Sequence, residues 1–356
     1  MILKENPEGI FAFQWHITDN CDQRCSHCYI FAEDNKKSLV SMDIAQMREV
    51  ICKCEEFTAK LDMKPTFAIT GGDPLLAPDF WKLAELLREK GYTYVLMGNP
   101  FHLNEEVCRR LKESGCVEYQ LSLDGMEDTH DRIRKPGSFK KTMDTIPLLL
   151  HARIQSIVMM TVSEDNFKEL GAVMDAAEKA GADIFSIARY VPTFEDKTLG
   201  IPPLEYRKVL KVFADKRKEA IKRGSFTRFT IKDHLLTLYY YEEGQFKLPE
   251  YEHKAGDHMP AGCHCGNAML TILPDGTVMG CRRAEDTVLG NVFTEDLYEL
   301  WSDAKKTYRQ YDKFEACSKC RLSPWCRGCP AIAAAVTGNY FGRDPQCWRV
   351  VERWHI

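Results

Sequence analysis

Three closely spaced cysteines near the start of the chain are the residues best suited to chemistry. Cys21, Cys25 and Cys28 have C-x3-C-x2-C spacing and follow an alternating apolar run at 11–18. A strand that leads into such a loop presents three thiols to one side. Three thiolates can bind three irons of a four-iron cluster, which leaves the fourth iron open to a ligand that is not protein. A structural zinc site would instead need four protein ligands.

Composition and charge narrow the class of protein. The chain has 356 residues, of which 44% are hydrophobic, and a formal net charge of −4. A net negative charge does not attract the phosphates of nucleic acid, so we expect no nucleic-acid partner. No apolar run approaches the length of a membrane span and no signal peptide is visible, so we expect a cytoplasmic protein with no membrane partner. The 15 cysteines of such a chain predict metal or redox chemistry rather than disulfides.

Alternating strands and helices position the cysteine loop. Strands are predicted at 11–18, 66–70, 92–97, 117–123, 156–162 and 183–191. Helices are predicted at 44–57, 78–90, 104–114, 139–152, 167–180 and 202–223, the first of them capped by Ser41. This alternation is typical of parallel βαβ units. We therefore predict an α/β fold, an incomplete barrel of six such units with its site at the carboxyl ends of the strands.

Polar residues follow most of these strands. Gly71 and Gly72 end the second strand and would let the backbone approach a ligand closely, while Pro74 fixes the exit from the turn. The remaining candidates at strand ends are Asp73, Asn99, Ser122, Asp124, Ser163 and Arg189. For the last two, a solvated loop serine and a surface ion-paired arginine are equally good interpretations.

A second cysteine region follows residue 262. A hairpin is predicted around Pro274, Asp275 and Gly276, because a Pro-Asp-Gly turn separates two apolar runs. Eight cysteines lie in this region: Cys263, Cys265, Cys281, Cys317, Cys320, Cys326, Cys329 and Cys347. Eight thiolates could form two closed zinc centres or two iron–sulfur clusters.

Together these motifs resemble the radical S-adenosylmethionine (SAM) enzymes that carry a SPASM extension. The sequence 71–74 reads Gly-Gly-Asp-Pro where that family usually has Gly-Gly-Glu-Pro, and 122–125 matches its Ser-Leu-Asp-Gly strand end. The resemblance implies a partial (β/α)6 TIM-like barrel with a small cysteine-rich SPASM domain. It also implies that the open iron chelates SAM. The implied SAM-binding residues are Gly71, Gly72, Asp73, Pro74, Asn99, Ser122, Asp124, Ser163 and Arg189.

The same resemblance implies three [4Fe–4S] clusters, one at the SAM site and two auxiliary. The first auxiliary cluster would be held by Cys265, Cys281 and Cys329. The second would be held by Cys317, Cys320, Cys326 and Cys347. Cys263 is an additional thiol, and we favour it as the fourth ligand of the first auxiliary cluster; otherwise that cluster has an open iron.

The resemblance implies domains at 10–225 and 262–350, joined by a bridging segment at 226–261. It implies an oxidoreductase that forms a 5′-deoxyadenosyl radical and abstracts hydrogen from a substrate. We favour maturation of a ribosomal peptide, by a thioether or another crosslink. The chain begins about ten residues before the barrel, so we expect a separate leader-recognition protein or direct leader binding, with flavodoxin or ferredoxin as electron donor. The alternatives are haem-precursor chemistry, sulfatase-type protein maturation and a multi-cluster electron carrier. No catalytic residue is identified.

Overall fold

A computed structural model describes residues 9–31, 39–193, 200–249, 261–264, 266–284 and 287–350. Seven parallel strands form the main sheet in chain order: β1 Ile10–His16, β2 Lys64–Thr70, β3 Tyr94–Met97, β4 Cys116–Ser122, β5 Gln155–Val162, β6 Ile184–Arg189 and β7 Arg228–Ile231. Three further strands are β8 Met269–Ile272, β9 Thr277–Met279 and β10 Val288–Asn291. The order of the whole sheet is β10-β9-β8-β1-β2-β3-β4-β5-β6-β7.

Ten helices are described, of which the first seven connect the parallel strands and the last three follow β7. They are α1 Ile44–Ala59, α2 Phe80–Glu89, α3 Glu105–Glu113, α4 Glu127–Ile133, α5 Ser138–His151, α6 Leu170–Lys179, α7 Pro203–Arg223, α8 Leu235–Glu242, α9 Leu297–Tyr308 and α10 Pro330–Thr337. None of the described helices combines the length and hydrophobicity that a membrane span requires.

Buried and partly covered side chains alternate along the strands, so that the two faces of the sheet differ. In β1, Phe11, Phe13 and Trp15 are fully buried, whereas Gln14 between them is only partly covered. Phe13 pairs with Phe67 of β2 in register, and their rings stack with centroids 6.1 Å apart. Successive side chains of a strand point to opposite faces. The aromatic residues therefore face the helices, and the partly covered positions face the inside of the curved sheet.

The predicted alternation of six strands and helices is confirmed, and the α/β barrel-like fold with it. The N-cap of α1 was predicted wrongly. Asp43 caps this helix, because its Oδ1 accepts from Gln46 N at 2.9 Å while Gln46 Oε1 accepts from Asp43 N at 3.0 Å. Such a reciprocal pair satisfies two backbone donors at once. Ser41 forms an isolated bridge with Thr18 instead.

The cysteine-rich region adds strands to the barrel sheet. The predicted hairpin is confirmed as β8 and β9, which pair antiparallel around Gly276, where φ is +86°. β8 also pairs parallel with β1, for example Phe13 with Leu270. This pairing covers the edge of β1, which would otherwise expose unpaired backbone groups. At the opposite edge, β7 and α8 lie within the segment predicted as a bridge, and β7 pairs parallel with β6.

Candidate active site

The cysteine loop lies at the carboxyl end of β1. Cys28 N donates to Cys25 O at 3.0 Å, and Ser26 N donates to Ile133 O at 2.9 Å, so a tight turn anchored to the end of α4 carries the last two thiols. Among the described residues, no three Cys, His, Asp or Glu side chains converge tightly enough to hold a single metal ion. The three thiols are nevertheless close enough for Cys25 to raise the pKa of Cys21 and for Cys28 to raise that of Cys25.

These thiols fit an iron–sulfur cluster. Burial, assisted by Asp73 and Cys25, raises the pKa of Cys21 to about 11, and burial likewise raises the pKa of Cys25. Without metal, both groups therefore keep their protons at neutral pH. Iron must displace those protons when it binds. Three soft sulfur donors from one loop match the preference of iron–sulfur clusters and would leave one iron without a protein ligand from this loop.

The Gly-Gly-Asp-Pro turn packs directly against this loop. A Cβ on Gly71 would lie 2.2 Å from Thr18 O, and one on Gly72 would lie 2.2 Å from Asn20 O. Gly72 N donates to Thr18 O at 2.8 Å, and Asp73 N donates to Asn20 O at 2.7 Å. The glycines were predicted to permit close approach to a ligand. In the structure they permit close approach to the backbone that leads into Cys21.

The Asp73 side chain is fully buried and engaged by backbone groups. Its Oδ1 accepts from Leu75 N at 2.9 Å, at the start of a 3-10 turn, Pro74–Leu76. Its Oδ2 accepts from Asn99 N at 2.9 Å. Burial raises the pKa of Asp73, and these two bonds oppose that increase. Asp73 therefore joins the end of β2 to the loop after β3.

Asn99 joins the loop after β3 to the cysteine loop. Its Nδ2 donates to Asp22 Oδ1 at 2.7 Å, and its Oδ1 accepts from Phe101 N at 2.9 Å. The Tyr119 hydroxyl donates to Asn99 O at 3.1 Å. The Asn99 amide therefore fixes the position of a residue next to Cys21.

Asp124 lies at the centre of a charged group beside the cysteine loop. Its Oδ2 accepts from Arg134 Nε at 2.6 Å, and its Oδ1 accepts from Thr161 N at 2.7 Å. Burial would raise the pKa of Asp124, but the charges of Arg134 and His27 outweigh burial and lower it. Arg134 Nη1 lies 3.7 Å from Cys25 Sγ. Asp124 therefore holds a guanidinium directly against one of the predicted cluster ligands.

Arg134 was not among the site residues predicted from the sequence. The signal that could have identified it is an arginine that follows a strand-end aspartate by ten positions within one connecting segment. Ser122 is the last residue of β4, and Ser163 directly follows β5, where Ser163 N donates to Asn166 Oδ1 at 2.8 Å. The structure therefore brings both serines to the carboxyl edge of the sheet.

Arg189 has partners other than the predicted ligand. Its guanidinium is 4% exposed, forms an ion pair with Asp233, and donates to both oxygens of Asp344 at 2.9 and 2.7 Å. Gln346 Oε1 accepts from the same group at 2.7 Å. Buried carboxylates of the chain thus pair with the guanidinium, which is not part of a surface ion pair. Arg189 connects the barrel to the cysteine-rich region.

The thiols of the cysteine-rich region form two groups. In one, Cys347 and Cys320 raise the pKa of Cys317, and Cys347 and Cys317 raise that of Cys326, although burial is the largest cause in both cases. In the other, Cys263 raises the pKa of Cys329 after burial, while Arg189 and Arg283 oppose it. A neighbouring apolar cluster is contacted by Cys263, Cys281 and Cys317. Cys265 lies outside the described residues.

A cleft separates the cysteine loop from this region. It is lined by Tyr29, the residue after Cys28, by Val191 and Pro192 after β6, by Arg282 and Arg283 after Cys281, and by alanines of α10. The guanidinium of Arg282 lies over the ring of Tyr29, 4.8 Å from its centroid. The cleft is therefore lined by the residue that follows Cys28 and by the residues that follow Cys281.

Comparison with known proteins identifies two domains in the chain. A model of the radical SAM superfamily matches residues 15–177, and a model of SPASM, an iron–sulfur cluster-binding domain, matches residues 263–330. The AdoMet-dependent heme synthase of Methanosarcina barkeri is 26% identical over 354 residues, which cover 98% of each chain. The mycofactocin maturase MftC of Mycobacterium ulcerans is 26% identical over 94% of this chain and 86% of its own.

A solved structure shows the same fold. Streptococcus suis SuiB superimposes with a TM-score of 0.73 at 17% identity, over 96% of this chain and 77% of SuiB. Residues 15–177 therefore form a radical SAM domain and residues 263–330 a SPASM domain, and the chain is an enzyme whose cofactors are SAM, a [4Fe–4S] cluster and auxiliary iron–sulfur clusters.

Proposed function

We propose that this enzyme abstracts a hydrogen atom from a substrate held between the cysteine loop and the SPASM domain. The observation that carries the proposal is the arrangement of Cys21, Cys25 and Cys28 at the carboxyl ends of the strands, against the Gly-Gly-Asp-Pro turn. When bound there, the reduced cluster and SAM supply a 5′-deoxyadenosyl radical. A multi-cluster electron carrier would need neither an incompletely ligated cluster nor this turn.

We propose that some residues around the cysteine loop contact SAM and that others hold the neighbouring loops in position. The backbone of 71–74 and the hydroxyls of Ser122 and Ser163 contact SAM. Asn99 and Asp73 hold the neighbouring loops in place through their backbone hydrogen bonds. These residues would hold SAM beside the cysteine loop, where it would supply the radical chemistry.

We propose the auxiliary ligand sets that the thiol groups support. Cys317, Cys320, Cys326 and Cys347 hold one [4Fe–4S] cluster. Cys265, Cys281 and Cys329 hold the other, which Cys263 completes. After burial, the pKa effects among Cys317, Cys320, Cys326 and Cys347 and the effect of Cys263 on Cys329 support the assignment of these thiols, since such effects require them to lie near one another. Arg189 serves this domain as a positioning residue and is not a SAM ligand.

Maturation of a ribosomally synthesised peptide is the proposed task. The support is the relationship to MftC and to the sporulation killing factor maturation protein SkfB of Bacillus subtilis, both named as maturation proteins. A separate leader-recognition protein and a flavodoxin or ferredoxin electron donor are part of the proposal. The test is anaerobic incubation with SAM, reductant and the short peptides encoded beside the gene, with product detection by mass spectrometry. A peptide that loses two hydrogens only with active enzyme is the expected result.

Modification of a haem precursor is the second candidate. It is supported by the heme synthase match over 98% of both chains and by the two arginines in the cleft, which suit an anionic substrate. Incubation with iron coproporphyrin under the same conditions tests it. Turnover of the porphyrin, with no change in any neighbouring peptide, would replace the peptide proposal.

A further inference from the structure

The guanidinium of Arg134 reaches the cysteine loop from inside the protein. Its Nη1 lies 3.7 Å from Cys25 Sγ, within the hydrogen-bonding range of a sulfur acceptor. Only 16% of the side chain is exposed, so little water competes for this donor. The Sγ of Cys21, by contrast, accepts from a neutral donor, the backbone N of Gln23, at 3.4 Å. Cys25 therefore has a cationic donor, whereas the donor to Cys21 is uncharged.

Arg134 is held in this orientation by its other nitrogen atoms. Nε donates to Asp124 Oδ2 at 2.6 Å, and Nη2 lies 3.4 Å from Nε2 of His27, a residue of the cysteine loop itself. The preceding residue, Ile133, accepts from Ser26 N at 2.9 Å through its backbone O. Side chain and backbone both connect this segment to the loop. A donor fixed in this way does not need to reorganise when negative charge develops beside it.

The carboxylate of Asp124 is engaged by groups of the chain. The residue is fully buried, Oδ1 accepts from Thr161 N at 2.7 Å, and Oδ2 accepts from Arg134. The family resemblance implied SAM as the partner of Asp124, whereas these contacts give its two oxygens to the protein. Asp124 binds Nε and Cys25 faces Nη1, so the ion pair leaves the second donor available to the sulfur.

A cation in this position favours the reduced form of a cluster bound at Cys25. Reduction adds one negative charge to a cluster that thiolate ligands already make electron-rich. The reduction potential of such a cluster depends on its net charge, its exposure to solvent and the hydrogen bonds to its sulfur atoms. Arginine keeps its proton at every accessible pH, so its charge is permanent. Burial also limits the screening of that charge by water and salt.

We propose that Arg134 donates a hydrogen bond to the Cys25 thiolate and thereby raises the reduction potential of the SAM-binding cluster, while Asp124 holds the guanidinium in position. This inference rests on the proposed function, which places that cluster on Cys21, Cys25 and Cys28. The higher potential makes the cluster easier to reduce by a flavodoxin or ferredoxin. The negative charge of Asp124 opposes the effect, so the two residues set the potential in opposite directions.

The test is a redox titration of the anaerobically reconstituted holoenzyme without SAM, followed by electron paramagnetic resonance. The signal of the SAM-binding cluster is identified beforehand as the one that changes when SAM is added. Arg134→Gln should shift its midpoint to a more negative potential. We expect a change of about tenfold in the reduction equilibrium, which for one electron is about 59 mV. The auxiliary signals should keep their midpoints, because Arg134 contacts the cysteine loop rather than the SPASM domain.

Three further variants separate charge from structure. Arg134→Lys keeps the charge but not the planar group that contacts Asp124 and Cys25 together, so its shift should be smaller. Asp124→Asn removes a negative charge and should shift the midpoint in the opposite direction, to a more positive potential. A general loosening of the loop would not produce shifts of opposite sign. The matched control is Arg132→Gln, which makes the same charge change at an exposed position of α4 and should leave the midpoint unchanged.

Iron content is measured for each variant before the titration. Arg134→Gln with full iron content and the native midpoint would overturn the proposal, as would an equal shift in Arg132→Gln. If Arg134→Gln does not retain the cluster, the sign of the shift in Asp124→Asn decides, and a more negative midpoint there would contradict the proposal. A native enzyme with no SAM-sensitive signal would refute the proposed cluster position as well. Failure of this inference alone is thus distinguishable from failure of the proposed function.

Discussion

Arg189, the last residue of β6, donates two hydrogen bonds to Asp344, and the Oδ2 of that carboxylate also accepts from Cys329 N at 2.8 Å. Asp344 O accepts from Cys347 N at 3.1 Å. Asp344 therefore forms a buried ion pair with the barrel and also accepts hydrogen bonds from the backbone of Cys329 and Cys347. These two cysteines are predicted ligands of different auxiliary clusters. The position of each cluster relative to the SAM site depends on this ion pair.

Removal of Arg189 should therefore be strongly destabilising. Arg189→Met leaves Asp233 and Asp344 buried without their counter-charge, and breaking such a pair costs about 3–5 kcal/mol. Chemical denaturation of the reconstituted protein measures this loss. Arg189→Lys should retain part of the stability, since lysine keeps the charge but cannot form the bidentate contact with the Asp344 carboxylate. The control is Arg223→Met, which removes an exposed ion pair with Glu178 and should change stability by less than about 1 kcal/mol. An Arg189→Met variant as stable as the native protein would refute this role.

Asp73→Ala should weaken SAM binding only moderately. The substitution removes the acceptor of Leu75 N and Asn99 N, and each buried donor left without a partner costs about 1–3 kcal/mol. The backbone of the turn remains, however, and we expect it to provide most of the contact with SAM. Isothermal titration with SAM should show a smaller loss for Asp73→Ala than for loss of the cysteine loop. Equal losses would assign the Asp73 carboxylate a direct role in binding.

Cys263→Ser tests whether the first auxiliary cluster is fully ligated. We expect Cys263 to be a ligand because it lies close enough to Cys329 to raise the pKa of that thiol. The variant should lose or alter one cluster signal in electron paramagnetic resonance while the other signals persist. Cys52→Ser is the control, because Cys52 is an exposed cysteine of α1. Unchanged spectra in Cys263→Ser would instead indicate an open iron available to a substrate thiol.

The anaerobically reconstituted protein should contain about 12 irons per chain, which corresponds to three four-iron clusters. Simultaneous replacement of Cys21, Cys25 and Cys28 by Ala should remove about four of them and leave the auxiliary spectrum intact. Iron analysis and spectroscopy check both numbers. Stoichiometric zinc with little iron would favour the zinc interpretation of the cysteine-rich region.

Local patterns predicted the fold and most elements of the site. The strand ends that carry Gly71, Asn99, Ser122 and Asp124 were predictable because hydrophobic alternation locates strands and parallel strands share one carboxyl edge. The cysteine loop was predictable because its ligands lie within eight residues of sequence. In each case the information is contained in neighbouring residues.

Long-range relationships were not predictable. Arg189 and Asp344 are 155 positions apart, and no local pattern relates a strand-end arginine to an aspartate near the other end of the chain. The residues that pair β8 with β1, such as Leu270 and Phe13, are even farther apart in sequence.

The most direct test of the central claim is cleavage of SAM by the reconstituted enzyme with dithionite and no substrate. Liquid chromatography measures the 5′-deoxyadenosine formed. The native enzyme should produce it, and the variant in which Cys21, Cys25 and Cys28 are all Ala should produce none, because SAM loses the open iron that it chelates. Formation of 5′-deoxyadenosine by that variant at the native rate would contradict the assignment of the cysteine loop as the SAM-cleaving site.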